Sequence, residues 1–243
     1  MTARNTVIQL EVPYGREMIP FALTRKARSR LTISVHPDMR VTVQAPLGKS
    51  DDHVKERVRR RAPWIAKQKR YFSGFQPLPS PRKYVSGETH CYLGRQYRLK
   101  VRKATTNSVK LVGKFLWVHT TAPKNIEKVK THLDDWYREH ARVLFARRVE
   151  LCHKKAKRHG IVYPGINIRK MKTRWGSYSG NGSILLNLDL IKMPISCIDY
   201  VIMHELCHMK FQDHSRRYYD LLTKCMPDWE VRKEKLNFLA VEL

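Results

Sequence analysis

Two histidines and a glutamate within five residues are the clearest sign of chemistry in this 243-residue chain. His204 and His208 are four residues apart, so on an α-helix their imidazoles project from one face and can reach the same metal ion. Glu205 directly follows the first histidine and can take a proton from a water that the metal has activated. The resulting hydroxide can attack a polarised carbonyl. This spacing therefore predicts a hydrolytic site that contains Zn²⁺.

A catalytic zinc ion needs a third protein ligand and an open fourth position. His214 lies six residues after His208, and six residues of unbroken helix would rotate its side chain about 240° away. We therefore expect the chain to turn within residues 210–213, so that His214 completes the ligand set. The carboxylates of Asp220 and Glu230 are the alternative third ligands.

The sequence around the histidines predicts the elements that must position them. An apolar run at 200–203 precedes His204, as expected for a buried helix. A short strand is predicted over residues 184–188, after the turn-forming residues 179–182. Apolar periodicity predicts further helices over residues 123–159, 215–225 and 228–238.

Strand patterns dominate the first 122 residues. Apolar and polar residues alternate over 31–35 and 40–44, around a turn-forming His-Pro-Asp sequence, which predicts a hairpin. An arginine-rich helix is expected after Ser50, a good N-cap residue. Three prolines and a glycine indicate a linker or extended loop at 73–83. Additional strands are predicted over residues 96–101, 109–112 and 115–119, and no internal repeat is visible.

Charge and composition narrow the range of partners. The chain has 48 Lys and Arg against 21 Asp and Glu, a net charge of +27 at pH 7. This surplus attracts polyanions, so non-specific contact of nucleic acid with a basic surface is predicted. No run approaches the roughly 20 apolar residues that span a bilayer, and no apolar secretion signal opens the sequence. Five cysteines without a C-x-x-C pair argue against a disulfide scaffold, and a cytoplasmic location is expected.

Several short motifs resemble the YgjP-like metallopeptidases, small zincins related to the SprT-like and WLM proteases. The most specific motifs are Arg174-Trp175-Gly176-Ser177, Gly182-x-Ile184-x-Leu186-Asn187, Asp199-Tyr200-Val201, HELCH at 204–208 and His214-Ser215. Weaker matches upstream are Ser86-Gly87-Glu88, Tyr92-Leu93-Gly94-Arg95 and Arg28-Ser29-Arg30-Leu31. The resemblance implies a peptidase with zinc on His204, His208 and His214 and with Glu205 as catalytic acid and base. One departure is Tyr178, where members of the family usually carry cysteine.

The predicted fold class is α+β. A strand-rich N-terminal part with a basic helix, residues 1–122, leads into a mainly helical, zincin-like part with a small sheet, residues 123–243. The second part carries the histidines. The pattern leaves open whether the two parts are independent domains or one unit.

The resemblance also indicates how a protein or peptide substrate is held. Many zincins pair an extended peptide with an edge strand beside the zinc helix, and the strand predicted at 184–188 is the expected edge. Asn187 is a candidate substrate-binding residue that orients the peptide or, alternatively, pins the strand. Trp175 is a second candidate, with core packing as its alternative. Candidate donors to the oxyanion formed during hydrolysis are Tyr218, Tyr219 and Arg174.

Two other functions fit the charge of the chain. One is a nucleic-acid-binding protein with a structural zinc site, and the other is a protease that acts on DNA-associated proteins, as some SprT-like relatives do. The sequence has no recognition-helix, RNA-recognition or zinc-finger motif, so any nucleic-acid binding would depend mainly on phosphates. Glu205 discriminates between the functions, because a structural site needs no base and usually recruits a fourth protein ligand. The sequence therefore favours a zinc-dependent metallopeptidase.

Overall fold

The computed structural model describes residues 6–74, 76, 82–171 and 174–240. The fold is α+β, with sheets in the N-terminal half and mainly helices in the C-terminal part, as expected. Two compact units divide the chain: residues 1–80 with 241–243, and residues 81–240. The division falls in the proline-rich segment at 73–83, whereas the sequence pattern places the boundary after residue 122. Much of the linker predicted there, residues 75 and 77–81, lies outside the described residues.

The first unit is a four-stranded sheet covered by one helix. The strands are β1 (Val7–Tyr14), β2 (Glu17–Lys26), β3 (Thr32–Val35) and β4 (Val41–Pro46), in the order β1-β2-β4-β3. The predicted hairpin is confirmed, because β3 and β4 pair in antiparallel register, with β4 also pairing in parallel with β2. The helix α1 (Asp51–Ser73) begins at Ser50, whose side chain accepts a hydrogen bond from the His53 main-chain N–H.

The core of the first unit lies between this helix and one face of the sheet. Buried residues of α1 recur at three- and four-residue intervals, which turns one stripe of the helix toward the strands. The stripe consists of Val54, Val58, Ala62 and Ile65. It packs against alternate residues of the strands, among them Phe21, Leu23, Val41 and Val43. The arginines of α1 are left on its exposed face.

The second unit begins with a sheet of the same topology. Its strands are β5 (Thr89–Tyr92), β6 (Arg95–Lys103), β7 (Ser108–Val112) and β8 (Phe115–Thr120), in the order β5-β6-β8-β7. The long helix α2 (Ile126–Ala156) follows and ends in a short 3₁₀ turn at Gly160, close to the predicted limits. Both units thus contain four strands in the same order followed by a helix, a repeat of topology that the sequence does not reveal.

Main-chain hydrogen bonds join this sheet to the segment that precedes the histidine helix. The N–H groups of Leu93 and Gly94 donate to the carbonyls of Ile191 and Lys192, at 3.0 and 2.9 Å. A Cβ atom on Gly94 would lie 2.6 Å from Cγ of Pro194, so only glycine allows this close approach. Residues 82–122 therefore pack as part of the helical unit.

The remaining elements form a small sheet and three helices around the histidine motif. The strands are β9 (Gly165–Arg169), β10 (Gly176–Tyr178) and β11 (Ser183–Asn187), in the order β10-β11-β9. The helices are α3 (Ile195–His208), α4 (Arg216–Cys225) and α5 (Trp229–Ala240), which confirms the predicted helices. The strand predicted at 184–188 is present as β11, but its expected role as the edge was wrong. Because β11 pairs on both sides, the edge strand beside α3 is β10.

No helix in the described ranges is long and apolar enough to cross a membrane.

Candidate metal centre

Three imidazole nitrogens meet at the C-terminal end of α3. The Nε2 atoms of His204, His208 and His214 form a triangle with all three sides at 3.2 Å. The two histidines of α3 lie one turn apart on the same face, as the four-residue spacing predicts. Among the described residues, these three histidines form the group of potential ligand side chains that could hold a metal ion. Asp220 and Glu230 are not part of the group.

The dimensions of the triangle fit a tetrahedral metal ion. Zinc–nitrogen bonds of roughly 2.0–2.1 Å at tetrahedral angles separate the nitrogens by about 3.3 Å. Hydrogen bonds cannot account for all three contacts, since each neutral ring nitrogen either donates or accepts but does not do both. A cation between the rings satisfies all three lone pairs at once. The histidine triad therefore fits the metal in geometry and in donor chemistry.

His214 reaches the triad because the chain turns directly after His208. Helix α3 ends at His208, and α4 starts at Arg216. The N–H of Phe211 donates to the carbonyl of Cys207, and the Phe211 carbonyl lies 3.0 Å from His208 Nδ1. The same turn that redirects the chain thus also supports one of the histidine rings.

The ring of His204 is held by a buried tyrosine on α4. Its Nδ1 lies 2.6 Å from the Tyr218 hydroxyl, which is 3.2 Å from the main-chain carbonyl of His204. With Nε2 free to coordinate, Nδ1–H donates to the hydroxyl, and the hydroxyl donates to the carbonyl. Burial and the neighbouring imidazoles lower the pKa of His204 to about 3, so the ring stays in its neutral, metal-binding form.

Glu205 lies beside the triad and is nearly enclosed. Burial raises the pKa of its carboxyl to about 7, while the main-chain N–H of Tyr178 and the charge of Arg174 act in the opposite direction. A Cβ atom on Gly176 of β10 would lie only 2.7 Å from Glu205 Oε1. The space that the carboxylate occupies therefore depends on a glycine at this position of the edge strand.

The triad and Glu205 open onto a cleft of about 600 Å³. One wall is the edge strand β10 with residues up to Gly180, and Arg174 and Gln212 also contribute to the lining. His214 is exposed, so the metal position is accessible to solvent. The cleft thus combines a potential metal, a buried carboxylate and an extended strand.

The two predicted substrate-binding residues lie behind this wall. Asn187 is buried, and its amide bonds the main chain of Met171, Arg174 and Asp189 at 2.9–3.2 Å. Trp175 is half-buried, and its carbonyl accepts the Asn187 N–H at 2.9 Å. Among the described residues, neither contributes to the lining of the cleft. Both hold the segment that brings Arg174 and Gly176 to the site.

Sequence reasoning did not find the roles of Gly176 and Tyr218. Glycine inside a short strand commonly marks a close approach of another group, which is a usable signal for Gly176. Tyr218 was a candidate oxyanion donor, but its hydroxyl is committed to His204. Nothing in the local pattern shows that contact, because it joins two helices whose packing depends on the intervening turn.

A histidine triad beside a buried carboxylate in an open cleft is the arrangement of metal-dependent hydrolases. The chain belongs to the YgjP-like metallopeptidase family, whose model (YgjP-like, metallopeptidase domain) matches residues 29–238. The crystal structure of the metallopeptidase zymogen of Pyrococcus abyssi abylysin is similar at 23% sequence identity and a TM-score of 0.36. That match covers 41% of this chain and 94% of the abylysin chain. No curated protein sequence matches the chain.

Proposed function

We propose that the protein is a zinc-dependent peptidase in which His204, His208 and His214 hold Zn²⁺ and Glu205 is the general base and acid. The arrangement of the cleft carries this proposal: three nitrogens 3.2 Å apart, with a buried carboxylate next to them. Within the described residues, no fourth cysteine, histidine or acidic side chain joins the triad. An open position beside a base supports catalysis over a purely structural zinc site.

The proton transfers are assigned to Glu205. When bound, the metal supplies a Lewis acid that lowers the pKa of a coordinated water and polarises the substrate carbonyl. Glu205 accepts the water proton on a carboxylate oxygen and then delivers it to the leaving amine. Its pKa, raised to about 7 by burial, suits a group that must both accept and donate a proton near neutral pH.

Arg174 is the proposed donor to the oxyanion. It lines the cleft, and its charge acts on Glu205. Of the other two candidates, the Tyr218 hydroxyl is already bonded to His204, and Tyr219, whose ring lies 6.0 Å from that of His214, does not line the cleft. A cation in the cleft can stabilise the negative charge that develops on the substrate oxygen.

The substrate is proposed to be a protein or peptide in extended form. The strand β10 is the outer strand of its sheet and lines the cleft, so a peptide main chain can lie along it. Main-chain pairing of this kind binds peptides without strong sequence demands. Asn187 and Trp175 would then assist binding indirectly, by fixing the segment that forms this wall.

A cytoplasmic location accords with the cysteine chemistry. Cys152, Cys197, Cys207 and Cys225 are buried free thiols, a state that a reducing compartment preserves. We therefore propose that the enzyme works in the cytoplasm.

The decisive experiment replaces the proposed base while keeping the metal. Purified protein should contain about one zinc ion per chain, measured by mass spectrometry of the metal, and should hydrolyse an unstructured protein such as casein. Glu205→Gln should keep the zinc and lose at least about 100-fold in hydrolysis rate. Glu234→Gln, at an exposed position of α5, is the matched control and should behave as wild type. Full activity of Glu205→Gln would contradict the proposed mechanism.

A further inference from the structure

The outer face of the sheet formed by β5–β8 carries a row of rings flanked by cations. Along β8, Leu116 and Val118 are buried, so alternate residues project from the opposite side of the sheet. We name that side the aromatic–cationic face, and its members are Phe115, Trp117, His119, Lys100, Arg102 and Lys110. The strand register places both lysines opposite Trp117 and places Arg102 opposite His119.

The rings and cations of this face contact one another. The ring centroids of Phe115 and Trp117 are 6.0 Å apart, and Trp117 and His119 are 6.3 Å apart with their planes within 14° of parallel. The Arg102 guanidinium lies 4.5 Å over the Trp117 ring, and Lys100 Nζ lies 5.4 Å from the Phe115 centroid. The side chains therefore form a contiguous platform of aromatic rings and positive charge.

The charge of the platform is not balanced within the sheet. None of the residues in β5, β6, β7 or β8 is acidic. Phe115 is 38% exposed and Val112, next to it in the register, is 58% exposed. An exposed face that combines aromatic rings with unneutralised cations is complementary to a polyanion with flat, stackable groups.

The first unit shows that the fold does not require this surface. Its sheet has the same strand order, and the outward positions in the middle of β2, β3 and β4 carry small or polar side chains, to which Arg28 and His36 are hydrogen-bonded. Those positions are Ala22, Thr24, Thr32, Ser34, Thr42 and Gln44. The same strand order therefore occurs without the row of rings that lies along β8.

We propose that the aromatic–cationic face binds single-stranded DNA. Unpaired bases stack on Phe115, Trp117 and His119, while phosphates contact the flanking lysines and Arg102. Duplex DNA presents base edges and not base faces, so it does not fit a stacking platform. Base stacking and phosphate contact do not involve a ribose 2′-hydroxyl, so the proposed binding mode does not require RNA.

This site is separate from the proposed catalytic cleft. None of its residues lines that cleft, so peptidase activity and DNA binding can fail independently. A protein with both sites would bring a peptidase to proteins associated with single-stranded DNA.

The test measures binding of a fluorescein-labelled 20-nucleotide single-stranded DNA to the full-length protein by fluorescence anisotropy. Trp117→Ala should weaken binding by about 5- to 100-fold, the range expected on losing a stacked base. Trp117→Phe keeps a ring and should retain most of the affinity. Trp64→Ala is the matched control, because Trp64 is 38% exposed on arginine-rich α1 and its loss leaves the net charge unchanged.

Charge variants distinguish DNA binding at the aromatic–cationic face from general electrostatic attraction of DNA to the protein. Lys100→Ala and Lys110→Ala should each lower the salt dependence of the DNA affinity by about one unit of log–log slope. Casein hydrolysis by Trp117→Ala should equal that of wild type, which also shows that the variant is folded. The proposal would be overturned if Trp64→Ala and Trp117→Ala weakened DNA binding equally. It would also be overturned if duplex DNA bound as tightly as single-stranded DNA. A tenfold preference for RNA of the same sequence would overturn the assignment to DNA.

Discussion

At the scale of single residues, a tyrosine hydroxyl orients the first histidine of the triad. Tyr218 is fully buried and lies between Nδ1 and the carbonyl of His204. Groups that bond the second nitrogen of a metal-binding histidine hold the tautomer and direct the ring. The usual partner is a carboxylate or a carbonyl. Here a neutral hydroxyl can accept the Nδ1–H, because it donates its own proton to the main-chain carbonyl of His204.

Tyr218→Phe should lower zinc affinity by about 10- to 100-fold, because the ring of His204 loses the group that holds it. Competition with a chromophoric chelator measures the affinity. Tyr219→Phe, on the neighbouring residue, is the control and should bind zinc as tightly as wild type. An affinity of Tyr218→Phe within twofold of wild type would show that the hydroxyl does not position the ligand.

Gly176→Ala should reduce kcat/KM about 10- to 100-fold, because the new methyl group displaces the carboxylate of Glu205, the proposed base, and small displacements of a catalytic group are costly. The Cβ atom would lie 2.7 Å from Oε1 and 2.9 Å from Cγ of that side chain. Zinc content should stay unchanged, since the atoms nearest to the added Cβ belong to Glu205 and not to the histidines. Gly48→Ala, where a Cβ meets nothing within 4 Å, is the matched control. Wild-type activity of Gly176→Ala would show that Glu205 is not confined by β10.

At the scale of elements, an ion-pair network fastens the histidine helix to its neighbours. Asp199 on α3 accepts two hydrogen bonds from Arg148 of α2, at 2.7 and 2.5 Å. Arg232 of α5 lies 3.7 Å from the same carboxylate. The pairs are largely buried, so they join three helices where water competes little. This network places the start of α3, and therefore the direction in which its two histidines project.

Asp199→Asn should lower the free energy of unfolding by about 2 kcal/mol, because the two charged hydrogen bonds are weakened and Arg148 loses its counter-charge. Urea denaturation followed by circular dichroism measures the change. Asp228→Asn removes the other acidic partner of Arg232, but Asp228 is 54% exposed, so a change within about 0.5 kcal/mol is expected. Equal effects of the two substitutions would show that the network does not stabilise α3.

At the scale of the whole molecule, each compact unit has its own buried core. The core of the first unit lies between α1 and its sheet. In the second unit, Leu99, Leu116 and Val118 of the sheet pack against Val129 and Leu133 of α2. The two sheets share one topology, and the sheet of the second unit is bonded to the segment before α3.

A fragment starting at residue 82 should therefore fold and bind about one zinc ion per chain, whereas a fragment starting at residue 123 should not. The shorter fragment lacks the sheet that covers Val129 and Leu133 and the Cys91 carbonyl that accepts a 2.8 Å bond from Tyr137. Thermal unfolding should be cooperative for the first fragment and absent or broad for the second. A cooperative, zinc-binding fragment from residue 123 would support the boundary that the sequence pattern indicated.

Local features of this protein follow from its sequence, because they depend on geometry within a few residues. The spacing of His204 and His208 sets them on one helical face, and alternation of apolar residues sets the hairpin of β3 and β4. The position of Glu205 beside the first histidine is equally local. The turn needed before His214 followed from the rotation of the helix alone.

The tertiary structure decided what depends on contacts distant in sequence. Hydrogen bonding between strands made β11 central and β10 the edge, and the packing of α4 brought Tyr218 to His204. The turn after α3 brings His214, and not Asp220 or Glu230, to the other two histidines. Local periodicity carries no information on such pairings, since they arise when the whole chain buries its apolar surface.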